Sequence, residues 1–205
     1  MTTNFKTQNI ENEKSKFPLH GWIGLSLVII FWILNWALTG PRTHWGFLPL
    51  WLGYCLSIDG LVAWRTGTSM LTRSPRKYIG LFLISAPGWW IFELLNLRTQ
   101  NWVYLGVEIF TPLQYVFWTT VSFTTVIPAV FGAAELFASF DFVKRLKPGL
   151  VIGTDKRTTV SFFILGWIML ALMLLYPKIF FPFIWFSIYF ILEPINVWLG
   201  NRSLA

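Results

Sequence analysis

Four carboxylates stand inside or at the edges of long apolar runs: Asp59, Glu93, Glu135 and Glu193. At the centre of a membrane helix a charged residue costs about 2.5–3.5 kcal/mol, and each surrounding Leu, Ile or Phe returns about 0.3–0.6 kcal/mol. One acid per span is therefore tolerable provided it faces protein or water. Such a group can donate or relay a proton, pass a cation, or join helices by hydrogen bonds. Amides accompany two of the acids at helical spacing. Glu93 and Asn96 are three residues apart, as are Glu193 and Asn196, and residues three apart share a helix face. Gln114 opens a later run. No Lys or Arg lies well inside any run, so no basic partner for these acids is apparent.

Other chemistries are narrowed by what the sequence lacks. His20 and His44 fall at opposite ends of the first run and its following turn, too far apart in depth to ligate one haem. No HExxH pattern or Cys/His cluster points to zinc, so neither a metal nor another cofactor is expected. There is no P-loop, no GxGxxG and no GxSxG, which argues against nucleotide binding and a nucleophile elbow. Cys55 is the single cysteine, so an internal disulfide is impossible.

The elements that must position these residues can be read from composition. Hydrophobic residues make up 55% of the 205, charged residues only 12%, about half the share usual in soluble domains. Apolar runs near 20–38, 47–64, 78–97, 113–138, 159–176 and 179–199 approach or exceed the ~18 residues that cross a bilayer. The expected fold is all-α, a polytopic membrane helical bundle of about six spans. Residues 1–17 read as a polar tail, 18–200 as one transmembrane domain and 201–205 as a short tail. The first run is too long for a signal-peptide core and lacks a small-x-small cleavage site, so it reads as a retained span.

The net charge of +7 is distributed as topology requires. With the amino terminus inside, all of the sixteen Lys and Arg except Arg42, Arg98 and Lys178 fall in cytoplasmic segments, which puts both termini in the cytoplasm. That placement argues against a nucleic-acid partner. Trp22, Trp36, Trp45, Trp51, Trp64, Trp102 and Trp198 lie near run ends, as an interfacial aromatic belt requires. Phe140, Phe142 and Val143 beside Lys144, Arg145 and Lys147 read either as an interfacial amphipathic segment or as a basic loop. The short loops point to a cell membrane, the bacterial inner membrane in particular. The GxxxG at 149–153 falls in a loop beside Pro148, outside any helix-packing face. The two Glu-x-x-Asn pairs lie on runs of opposite direction, which allows two inverted three-span halves.

The stretch "FELLNLRTQNWVYLGVEIFTPLQYVFW" (92–118) resembles the small polytopic carotenoid-modifying proteins, the lycopene cyclases built from three-span halves and the related carotenoid hydratases. In them an acidic helix end leads to a Trp-x-Tyr segment and then to a Pro-Leu-Glu-Glu motif opening the next span. The matching positions are Glu93, Trp102, Tyr104, Pro112 and Leu113, while Gln114 and Tyr115 stand where the paired carboxylates belong. The resemblance implies an enzyme or binding protein for an apolar isoprenoid or other lipid. Glu93 would deliver a proton to a double bond, with Asn96 and Asn101 orienting it.

Two further readings stay open. Asp59, Glu135, Glu193, Asn196 and Gln114 can line a binding site or a proton or cation pathway in a small transporter. Alternatively, the polar residues bind helices together in a non-catalytic subunit or assembly factor. The expected partners are membrane lipid, an apolar ligand, and a second copy of the chain or another membrane protein.

Overall fold

The computed structural model describes residues 16–38, 45–146, 153–201 and 203. The described residues are helical or in turns, with no strand, and form ten α-helices. They are α1 Leu19–Ala37, α2 Phe47–Thr66, α3 Met70–Arg73, α4 Pro75–Thr99, α5 Pro112–Phe123, α6 Val126–Ala138, α7 Asp141–Lys144, α8 Lys156–Leu175, α9 Pro177–Phe180 and α10 Phe183–Trp198. Five segments are long and apolar enough to cross a membrane: α1, α2, α4, α5 with α6, and α8. The segment expected at 179–199 instead forms α9 and the 16-residue α10. Large apolar side chains such as Leu83, Leu113 and Ile179 are exposed along these helices. That inversion suits a protein whose solvent is hydrocarbon.

Helix ends obey local chemistry. Gly67 closes α2 with φ of 80°, a left-handed conformation that costs glycine little. Ser69 then starts α3 through a capping box with Thr72. The apolar stretch 112–138 is interrupted at Thr124–Thr125. Pro128 cannot donate to the carbonyl four residues back, and its ring crowds that carbonyl. Ser85 of α4 repairs the break: its hydroxyl donates to the Phe123 carbonyl and accepts from the Ile127 N–H at 3.0 Å.

The chain divides into two compact units, residues 1–86 with 121–144, and 87–120 with 145–205. In the first, α1 packs on α2 and α2 on α6. The α1–α2 contact depends on absent side chains. A Cβ on Gly24 would lie 2.5 Å from the Ser57 nitrogen and 2.7 Å from the Gly53 carbonyl oxygen. Such close backbone approach is how helices associate where lipid removes the hydrophobic drive. In the second unit α8 packs on α10 around Gly166, where a Cβ would meet Ile191 Cγ1 at 2.8 Å.

Candidate functional site

Asp59 lies in the last two turns of α2, where the helix dipole opposes negative charge. It is 1% exposed. Two hydrogen bonds compensate. The Ser69 hydroxyl donates to Oδ2 at 2.5 Å and the Leu71 N–H donates to Oδ1 at 3.0 Å, while His20 Nε2 of α1 stands 3.1 Å from Oδ2 without a hydrogen bond. Both donors come from the segment just beyond the helix. The carboxylate thus folds the chain back after Gly67 and seats α3 against α2.

Glu135 of α6 pairs with Arg73, the last residue of α3. Hydrogen bonding to Glu135 raises the Arg73 pKa and fixes its charge. Arg65 of α2 donates from Nε to the Ser139 hydroxyl at 2.9 Å and sets its guanidinium 4.2 Å above the Phe140 ring. The absence of a basic partner expected from sequence is therefore corrected. Arg73 and His20 supply one to Glu135 and Asp59, from a loop helix and from the first turn of α1. Arg73 lies outside the apolar runs in which partners were sought, and His20 stands at the very start of the first.

In the second unit Glu93 is half-buried near the end of α4. Its Oε1 accepts from Trp102 Nε1 at 3.0 Å and from the Tyr104 hydroxyl at 2.6 Å. Burial, and then the bond to Glu93, push the Tyr104 phenol up to about 12. Asn96 works beside it on the backbone. Its amide nitrogen donates to the Trp102 carbonyl at 2.8 Å, and its oxygen accepts from the N–H groups of Asn101 and Trp102 at 3.0 and 3.3 Å. Asn101 is exposed and contributes its main chain to this bonding. The groups that orient Glu93 are thus Trp102 and Tyr104, in place of the expected Asn96 and Asn101. Rings gather next to the carboxylate: Trp185 stacks on Phe92 at 4.8 Å, and Trp89 and Trp102 lie within 6.4 Å of it.

Glu193 is 6% exposed in α10 and accepts from the Ser203 hydroxyl at 2.7 Å. A hollow of about 10 Å³, room for about one water, adjoins it between Thr158, Thr159, Phe162 and Pro194. Asn196 accepts the Asn201 N–H through its main-chain oxygen at 3.1 Å. Gln114 caps a helix. Thr111 accepts the Gln114 N–H at 3.4 Å while Gln114 Oε1 accepts the Thr111 N–H at 3.0 Å, with Pro112 opening α5. This is a reciprocal capping box, and the signal was legible in "TPLQ" as Thr-x-x-Gln.

The predicted residues are thus gathered by unit. Asp59 and Glu135 belong to the first; Glu93, Asn96, Asn101, Gln114, Glu193 and Asn196 belong to the second. Among the described residues no group of three His, Cys, Asp or Glu is placed to hold a metal ion. His44 and most of the 149–153 GxxxG lie outside the described residues. Three of the four acids share one habit. Asp59, Glu93 and Glu193 each accept from donors nine to twelve residues further along, beyond the end of their own helix. Comparison with protein families, with curated proteins and with solved structures returns no match for this chain.

Proposed function

We propose that this chain is a polytopic membrane protein acting as a non-catalytic subunit or assembly factor in the bacterial inner membrane. Its six apolar segments would cross the bilayer with both termini cytoplasmic. The observation that supports this reading is the common use of the in-span acids. Asp59, Glu93 and Glu193 tie down the segment that comes after their helix, and Glu135 ties α3 to α6. Acids spent on holding the fold are what a scaffold requires. The partner is another membrane protein or a second copy of the chain. Extraction in mild detergent and then native mass spectrometry tests it. A co-purifying partner or an oligomer is expected, and a stable, partner-free monomer contradicts the proposal.

A second reading has one observation in its favour. Glu93 is half-buried and stands beside the rings of Trp102, Tyr104, Trp89, Phe92 and Trp185. A proton donor among π faces suits cyclisation or hydration of an apolar isoprenoid, whose cationic intermediates such faces stabilise. Glu93→Gln separates the two. On this second reading the variant accumulates normally and loses lipid turnover; on the first it accumulates less, and no lipid product depends on it.

A further inference from the structure

One end of the first unit gathers charge. Hydrogen bonds and ion pairs bring together the start of α1, the end of α2, α3 and the end of α6: His20 meets Asp59, Ser69 meets Asp59, Arg73 meets Glu135 and Arg65 meets Ser139. The start of α4 comes directly after α3, and α7 directly after α6. Arg65, Arg73, Arg76, Lys77 and Lys144 lie on these segments, and Lys16 comes three residues before α1. The acids there are already engaged. Asp59 is buried under its donors, Glu135 holds Arg73, and Asp141 faces Lys144 at 3.5 Å. Arg76 and Lys77 are exposed and have no carboxylate within ion-pair distance among the described residues.

Apolar rings are interleaved with this charge. Trp64, Phe137 and Phe142 are 47%, 61% and 63% exposed at the same helix ends. Tryptophan at such ends sits at headgroup depth, and a short segment pairing exposed Phe with Lys lies in the interface. A soluble acidic partner would leave those rings in water. A bilayer surface takes both the rings and the cations.

We propose that this end of the first unit is a binding surface for the phosphate headgroups of anionic phospholipids, with Arg76 and Lys77 as its uncompensated cations. The inference stands apart from the choice between scaffold and enzyme. The test is native mass spectrometry of the full chain released from nanodiscs of phosphatidylcholine mixed equally with phosphatidylglycerol. The expected result is preferential retention of phosphatidylglycerol. In the variant Arg76→Gln/Lys77→Gln that preference should fall about fivefold per charge removed. Lys178→Gln, an exposed lysine of the second unit, should leave it unchanged. Equal retention of the two lipids, or a preference that survives loss of both cations, would overturn the proposal. Both substituted residues are exposed and unpaired, so the variant should fold. A thermal midpoint matching the parent verifies that.

Discussion

In the first unit, α2 and the segment after it run parallel in pattern to α10 and its tail in the second. At one constant offset and without a gap, Phe47, Trp51, Asp59, Trp64 and Ser69 match Phe181, Trp185, Glu193, Trp198 and Ser203. In both, the acid accepts from the serine ten residues on. In both, the tryptophan closes on the antiparallel neighbour, Trp64 against the Phe17 ring and Trp198 by donating to the Thr159 hydroxyl at 3.1 Å. The two regions differ in the other groups around the acid. Ser69 also caps α3, and Leu71 and His20 complete the shell around Asp59. Glu193 instead keeps a water-sized hollow at its side. One device is used in two settings, sealed beneath its donors at Asp59 and beside a water-sized hollow at Glu193.

The comparison predicts a ranking. Asp59→Ala should have the largest effect, about 3 kcal/mol, because it strands a buried hydroxyl, a backbone N–H and a histidine together. Glu193→Ala should cost less, because the hollow beside it admits a water to the stranded Ser203 hydroxyl, and thermal unfolding of both variants in one detergent gives the ratio. Equal losses would break the comparison. Next come the helix contacts. Gly24→Ala forces a methyl against main-chain atoms of α2 and should cost about 2 kcal/mol. Gly166→Ala should cost less, since the main-chain atoms its methyl would meet stand 3.0 Å away, against 2.5 Å and 2.7 Å at Gly24.

Glu93→Gln should cost about 1 kcal/mol, since both donors bond one oxygen that the amide keeps and only the charge on that acceptor is lost. The smallest effect is spectroscopic and sharpens the same contact. The fold raises the Tyr104 pKa above 10.0 to about 12. It therefore favours the neutral phenol, and this contribution is complete below about pH 10 and lost as pH rises through about 12. A near-ultraviolet titration of the parent minus Tyr104→Phe should show the missing tyrosinate appearing late. A midpoint near 10 would mean that neither the burial of Tyr104 nor its bond to Glu93 is present.

Much of this was legible from residues alone. The apolar runs located the long helices, with α2 observed at Phe47–Thr66 against an expected 47–64. The acids were conspicuous because hydrocarbon makes them costly. Their partners were harder to see. Ser69, Trp102 and Tyr104 reach back across a helix end, a relation with no periodic signature, and Arg73 sits in a loop that reads simply as a basic topology signal. The break at Thr124–Thr125 was written in Pro128, yet its repair by Ser85 depends on tertiary contact. Gln114 was misleading for another reason: an amide at a span edge attracts a ligand interpretation, whereas "TPLQ" carried a local one.

The central claim is that the in-span acids work as latches on the chain just beyond their own helices. Hydrogen–deuterium exchange of Asp59→Ala, Glu93→Ala and Glu193→Ala in nanodiscs tests it most directly. Each variant should lose protection in its own latched segment, 67–73, 100–104 and 199–201 respectively, and keep it in the other two. Unchanged exchange in the cognate segment, or a uniform loss across all three, would contradict the account.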